Sequence, residues 1–512
     1  MEAPRNEPVW FDGIELRELP SPRTNLRADV CVVGAGIAGL TSAYLLAAEG
    51  RSVVVVDDGP VGGGMTGATT AHLVTALDRG YREIERVRGE ESAKLAARSH
   101  AAAIDRIEEI VAREKIACDF ERLDGFLFRG REGRSGDLDA EFEAAARAGA
   151  DVAMEPRADL PFDAGPCIRF RRQAQFHPLR YMAGLARTAR RRGARLFGGF
   201  HAERIEAGTP ARVTAGARKV TARAVIVATN SPVNDRVAIH TKQAPYMTYV
   251  VGAVVPRGSV ASGLYWDNED PFHYVRLQPL PDGTDCLIVG GEDHKTGQGG
   301  DPRERHARLE AWARERFPMI ESIAYKWGGQ VMETLDGLAF IGRNPGDDNV
   351  YVVTGDSGNG LTHGTIAGML LTDLILARDN PWTELYDPSR KVPLAAGRFL
   401  KENLNVAAQY ADWVTPGDAG SAREIPRDSG AVVRQAAAKL AVYRGPDGKS
   451  HAFSAVCPHL GCVVQWNAAE KTWDCPCHGS RFDKLGKVVN GPANTDLAPA
   501  EDAELARSSS KS

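Results

Sequence analysis

The chain lacks most features that would mark a membrane or nucleic-acid protein. No apolar run approaches the roughly 20 residues needed to cross a bilayer, so no membrane span is expected. Net charge is −4 with both signs mixed, which gives no support for a nucleic-acid partner. The opening stretch MEAPRNEPVWFDGIELRELP has no basic start followed by an apolar segment. No secretory signal is therefore expected, and a cytoplasmic location is the default. Cysteine is scarce, with eight in 512 residues. Cys31, Cys118, Cys167 and Cys286 stand singly, which is not a disulfide framework. Cys31 sits in an apolar strand-like run and reads as a small buried hydrophobe. The remaining four cysteines crowd into residues 457–477. At this length two to four domains are expected rather than one core.

What is present begins with residues 28–57, ADVCVVGAGIAGLTSAYLLAAEGRSVVVVD. An apolar strand, Val30–Val33, runs into the turn Gly34-Ala35-Gly36-Ile37-Ala38-Gly39. A helical pattern follows from Leu40 to about Ala48, then a second apolar run, Val53–Val56, ending in Asp57 and Asp58. This is the strand–glycine turn–helix–strand–acid unit of dinucleotide folds. Gly34 makes the tight turn, Gly36 lets the backbone approach a pyrophosphate, and Gly39 lets helix and strand pack closely. The helix start offers free N–H groups and a positive dipole end to the anion. Asp57 stands where a carboxylate accepts both ribose hydroxyls, which argues against a 2′-phosphate.

Three later segments favour FAD over NAD. The small-residue loop from Gly62, with Gly64, Thr66, Thr70 and His72, lets backbone crowd against a flat ring. RAVIVATN, from Arg223 to Asn230, is a strand ending in small polar residues that include Ala228 and Thr229. NVYVVTGDSGNGLTHG, residues 349–364, is another buried strand followed by a glycine-rich loop entering a helix predicted from Thr365 to Ala377. Its Gly355, Asn359, Gly360, Leu361 and Thr362 would lie against the flavin's pyrimidine end, where negative charge develops on reduction.

Over residues 28–380 the chain resembles the D-amino-acid oxidase/dehydrogenase family of flavoproteins, which includes glycine oxidase and sarcosine oxidase. TLDGLAFIGR at 334–343, followed by NVYVVTG, is similar to that family's C-terminal signature. The resemblance implies an α/β FAD-binding domain of the Rossmann, glutathione-reductase-like type, interleaved with an α+β substrate domain on a mixed sheet. It also implies oxidation of a C–N bond by hydride transfer to the flavin. Some relatives tether flavin to Cys or His. Here the segment before Asp336 is QVMETLD, without cysteine, and His72 lies a few residues beyond the tethering position, so non-covalent FAD is expected.

The C-terminal cysteines come with histidines. Cys457-Pro-His459 and Cys475-Pro-Cys477-His478 give spacings C-x-H and C-x-x-H, with fifteen residues between the pairs. Two thiolates on one iron and two imidazoles on the other make the Rieske [2Fe–2S] arrangement. A zinc site could use the same four residues, but C-x-H is unusual zinc spacing and Cys462 and Cys477 would be unexplained. The segment resembles the Rieske domains of cytochrome bc-type complexes and of arene-dioxygenase ferredoxins. By that resemblance Cys462 and Cys477 could form a disulfide pinning the two loops, and Ser480 would donate a hydrogen bond to a cluster sulfide. Phe482 stands where the respiratory proteins carry tyrosine, which implies one hydrogen bond fewer and a lower potential.

The expected organisation is an N-terminal extension (1–27), the FAD-dependent oxidoreductase (28–390), a helical linker (391–422), an all-β Rieske domain (423–506) and a disordered tail (507–512). Within the oxidoreductase, the FAD-binding part is about 28–78, 172–235 and 325–380. The substrate domain is about 79–171 and 236–324. Residues 394–413 have the spacing of a single helix, read as an inter-domain strut. Rieske strands are expected at 430–443 and 450–456.

Flavin accepts two electrons together and the cluster passes one at a time. The pairing suggests a dehydrogenase of a small-molecule amine or amino acid that delivers electrons to an external one-electron acceptor. Flow from an external donor, as in a reductase feeding a partner enzyme, and a non-enzymatic redox sensor stay open. Substrate residues are the weakest signal. In FHYVRLQ, residues 272–278, Tyr274 and Arg276 share one strand face and could clamp a carboxylate, though an exposed edge strand would read the same way. His294 follows a strand and could point at the flavin, or could be a solvated loop histidine.

Overall fold

The structure is a computed structural model that describes residues 4–14, 16, 18–131, 136–234, 239–436 and 438–500. The predicted tail, 507–512, lies outside the described residues, as do 501–506 of the predicted Rieske domain. Among the described residues no helix is long and apolar enough to cross a membrane.

Valine-rich runs build the centre of the first sheet. Leu26–Val33 pairs in parallel with Val53–Val56 on one side and Arg218–Val227 on the other. Arg195–Phe197 extends the first side, and Val350–Thr354 with antiparallel Phe340–Arg343 extends the second. Val53 to Val56 are all fully buried, as expected of a parallel sheet covered on both faces. The helix Ile37–Ala48 packs on this sheet and on the helix Gly360–Ile375. Close approach there rests on glycine: a Cβ on Gly364 would lie 2.7 Å from Ile37 Cγ2, and one on Gly368 would lie 2.5 Å from Thr41 Cγ2. The second helix begins at Gly360, five residues before the predicted start.

The second sheet is mixed and runs Ser322–Thr334, Gln243–Val255, Asp285–Lys295, His273–Pro279, Leu264–Asp267, Glu121–Phe128, Cys167–Gln175, His72–Leu73. The predicted domain boundaries at 172 and 325 cut through two of these strands. Both strands belong to the mixed sheet on either side of the boundary. Each ladder is interrupted there by an irregularity, between Gly252 and Ala253 and between Leu123 and Gly125, and then resumes on the same partner strand. His273–Pro279 is a central strand between two partners, which removes the edge-strand reading. The N-terminal extension packs into this body. Arg5 pairs with Ala324 and Lys326 through the backbone, and Trp10 is fully buried.

The C-terminal region is all β. One sheet is Ser429–Gln435, Ala438–Arg444 and Ser450–Ser454. The other is Gln465–Asn467, Thr472–Asp474, Arg481–Asp483 and Val488–Asn490. The single strand predicted at 430–443 is a hairpin that turns at Ala436, where φ is +51°. The predicted 394–413 helix is three pieces: a 3₁₀ turn, the α-helix Ala396–Gln409, and a second 3₁₀ turn at Tyr410–Trp413. It touches both modules. Asn403 donates to Thr241 O and Gln298 donates to Asn405, while Tyr410 and Trp413 donate to Leu460 O and Gly461 O.

Candidate functional site

One cavity of about 1000 Å³ opens between the two large sheets. Its first end is the glycine turn. A Cβ on Gly34, at φ +111°, would lie 2.3 Å from Ala228 O, and one on Gly39 would lie 1.9 Å from Gly34 O. Gly34 and Gly36 line the cavity, whereas Gly39 is a packing residue behind it. Gly36 is the helix N-cap and contributes no side-chain cap. Asp57 accepts from Ala35 N–H at 2.5 Å and Gly59 N–H at 2.8 Å, and it faces the cavity. Burial raises its pKa to about 6. Asp58 is held low by His201, at 3.1 Å, whose own pKa is raised to about 9 by that contact. Thr66 Oγ1 accepts from Ile37 N–H at 3.1 Å at the helix start. The fit to a dinucleotide is made by that helix start, a glycine floor and a buried acid.

Gly64, Thr66, Thr70, His72, Ala228, Thr229, Asn359, Gly360 and Leu361 line the same cavity. Gly355 and Thr362 do not. Gly355 turns at φ +72° beside Thr334, and Thr362 bonds back to Asn359 O. His72 is wedged between Thr70 Oγ1 at 3.1 Å and Val275 O at 3.4 Å, and burial lowers its pKa to about 3.

Of the three predicted substrate residues, Tyr274 lines the cavity and hydrogen-bonds Thr248 at 2.8 Å. Arg276 does not. Its guanidinium is buried against Trp10 and donates to Ala71 O, Phe176 O and Gln278 Oε1. It holds the N-terminal extension to the sheet. His294 also misses: its Nε2 meets Tyr249 Oη at 2.9 Å and its Nδ1 meets Lys295 O at 2.7 Å. A bulge explains the miss. Glu292 has φ +60°, and the pairing slips between Met247 and Tyr249, so strict alternation fails and Asp293 lines the cavity instead. Asp78, Glu333 and Asp356 join it there.

The C-terminal ligand candidates sit on two matching loops. Cys457 N–H bonds Cys462 O, and Cys475 N–H bonds Ser480 O. Gly461 N–H returns to Cys457 O and Gly479 N–H to Cys475 O. A disulfide joins Cys462 to Cys477. Cys457 and Cys475 are buried, and the shared hydrogen bond between their thiols lowers the pKa of Cys457 to about 7. The rings of His459 and His478 are 5.0 Å apart. Nδ1 of His478 is buried and has no hydrogen-bond partner among the described residues, as suits a nitrogen that a metal satisfies. The two loops thus bring the two thiols together and the two imidazole rings together. Ser480 Oγ accepts from Ala493 N–H at 2.9 Å, and its hydroxyl hydrogen-bonds Cys457.

These loops are seated on the flavin module. His240 presents its ring to His459 at 5.2 Å and to His478 at 6.2 Å. Gln330, which lines the cavity, donates to Gly479 O at 2.8 Å and accepts from Asn490. Residues 488–491, 493 and 494 form part of the cavity wall. Asn494 Nδ2 donates to Ala202 O, and its carbonyl meets His201. Neither His240 nor Gln330 belongs to a motif, which is why the sequence did not single them out.

The family model described as FAD dependent oxidoreductase matches residues 29–374. That described as Rieske [2Fe-2S] domain matches residues 416–501. The chain belongs to the FAD-dependent oxidoreductase family and carries a C-terminal Rieske domain. YhfW of Bacillus subtilis (strain 168) is 30% identical over 495 residues, 96% of either chain. The cytochrome b6-f complex iron-sulfur subunit of Parasynechococcus marenigrum (strain WH8102) is 34% identical over 146 residues, covering 28% of this chain and 74% of that one. Glycine oxidase from Geobacillus kaustophilus superposes with TM-score 0.60 at 19% identity, over 72% of this chain and all of that one. At that identity the likeness concerns the fold. The protein is an FAD-dependent oxidoreductase whose cofactors are FAD and a [2Fe–2S] cluster.

Proposed function

We propose that the protein oxidises a C–N bond of an amine or amino acid and delivers the electrons, through the Rieske domain, to an external one-electron acceptor. The observation that carries this reading is Gln330, which lines the cavity and at the same time holds the backbone beside His478. The two compartments share that residue, so no solvent gap separates them there. FAD supplies the hydride acceptor and the cluster a one-electron carrier.

The chain's own residues do the rest. The turn from Gly34 to Gly39 and the start of the helix at Ile37 receive the pyrophosphate, and Asp57 receives the ribose. Gly64, Thr66, Thr70 and residues 359–361 surround the ring system. The two nitrogens of His72 are engaged by Thr70 and Val275, which supports non-covalent attachment. Tyr274 and Thr248 wall the substrate end. Cys457 and Cys475 would hold one iron of the cluster, and His459 and His478 the other. His240 packs against both imidazoles and fixes their orientation. The fold shared with glycine oxidase supports C–N chemistry as the reaction class.

Anaerobic mixing with a panel of amines and amino acids tests the reading. The flavin absorbance should bleach first and the cluster should then be reduced. Reduction by NAD(P)H or ferredoxin with no response to any amine would overturn it. Acid precipitation should release all of the flavin into solution.

A further inference from the structure

The wall of the cavity facing Tyr274 has an unusual charge balance. Asp78, Asp293, Asp356 and Glu333 all line it. They come from four separate segments yet lie close enough to repel one another: Glu333 acts on the other three, and Asp293 and Asp356 both act on Asp78. The arginines lining the cavity are already committed. Arg79 gives two hydrogen bonds to Glu333, at 2.7 and 3.0 Å. Arg82 pairs with Asp137, and Arg86 pairs with Glu83. Asp78, Asp293 and Asp356 have no ion-pair partner among the described residues. Thr248 hydrogen-bonds the Asp293 carboxyl, while Asp293 Oδ1 is buried with no hydrogen-bond partner among the described residues. Asp78 is the exposed member of the group and lines the cavity.

An amino-acid substrate needs a cation for its carboxylate, usually a free arginine. This cavity offers it carboxyl groups without a close ion pair instead, eased only at longer range by Arg79 beside Asp78 and by His273 and Arg305 beside Asp293. In their charged form these groups would repel the substrate carboxylate. Taking the C–N oxidation above as given, we propose that the substrate is an aliphatic diamine or polyamine without a carboxylate, held by Asp78, Asp293 and Asp356 beside Tyr274. One amine nitrogen sits at the reacting carbon and a second cationic nitrogen pairs with the acidic wall.

The chemistry balances. A cavity carboxylate takes one proton from the reacting ammonium, freeing its lone pair. One α C–H bond breaks and its electron pair leaves as hydride to FAD, while the nitrogen lone pair closes C=N. Water then converts the iminium to an aldehyde and ammonium. The two electrons leave singly through the cluster to the outside acceptor. Burial raises the pKa of Asp293 and Asp356 to about 7, which suits either group to accept that proton near neutrality.

The test uses the purified protein with both cofactors. Calorimetry and anaerobic flavin bleaching compare 1,4-diaminobutane with glycine, sarcosine and proline. The diamine should bind and bleach at concentrations at least about tenfold lower than the amino acids. Asp293→Asn should weaken its binding by about tenfold with flavin and cluster absorbance intact, as for loss of one charged contact. Should that variant fail to fold, Asp78→Asn and the salt dependence of binding to the unaltered protein read out the same charge. Tighter binding and faster bleaching with an amino acid would overturn the substrate class and leave C–N oxidation standing. Diamine binding that weakens in the variant, without any bleaching, would support the acidic site and sink C–N oxidation. No response to either class would sink both.

Discussion

The cluster loops and the acidic wall of the cavity are built in opposite ways. The four ligand candidates span residues 457–478 on two similar loops that one disulfide ties together. The acidic wall draws Asp78, Asp293, Glu333 and Asp356 from distant parts of the chain. The first site holds itself together locally. The second exists only when the mixed sheet and the helix start at Gly360 are in place. Damage to one loop should therefore destroy the cluster and spare the flavin, while the acidic wall can be altered one charge at a time without collapse.

The largest effect expected along this line is total. Cys457→Ser should abolish the paramagnetic signal of the reduced cluster while the flavin spectrum persists. Loss of both signals would mean that the modules are not independent. Next comes the cross-link. Removing Cys462–Cys477 opens a loop of separation 15, which costs about 3 kcal/mol in the chain-entropy account. Thermal loss of cluster absorbance should then come earlier, with flavin release unmoved.

The acidic wall should answer to pH instead. Asp293 is half-buried, bonded by Thr248, and faced by Glu333, His273 and Arg305, with Asp78 beyond it. Asp356, also raised to about 7, receives Met332 N–H and faces Glu333. A carboxyl with pKa near 7 is mostly protonated at pH 6 and mostly charged at pH 8. Diamine affinity should therefore rise about tenfold across that range, measured by calorimetry. A flat profile would count against these carboxylates as the cation's partners. The smallest effect concerns tuning of the cluster. Phe482 is fully buried and pairs with Trp473 across the strand ladder. Phe482→Tyr adds one hydroxyl, and a hydrogen bond worth about 0.5–1.5 kcal/mol corresponds to roughly 20–65 mV in a one-electron couple. The midpoint should rise in a potentiometric titration; no change would mean that the hydroxyl fails to reach the cluster.

The same contrast explains what could be read in the sequence. The glycine turn and the Cys/His loops carry their chemistry in contiguous residues whose spacing is itself the signal. Tyr274 was reachable because strand alternation holds around it. His294 was not a site residue because the positive φ at Glu292 shifts the register, and Asp293, its neighbour, reaches the cavity. Arg276 failed for a different reason. Its side of the sheet is closed by Trp10 from the N-terminal extension, a contact across more than 260 residues that no local pattern announces. The predicted domain boundaries failed where continuous strands cross them, since hydropathy marks a strand but not the sheet it joins.

The seating of the imidazoles against His240 has a kinetic consequence. In a tethered carrier that must swing between partners, diffusion of the head limits each transfer and a thicker solvent slows it. Here the gap is set by side-chain packing before any substrate arrives. Added glycerol should leave the internal electron transfer untouched and slow only the arrival of substrate and the encounter with the outside partner.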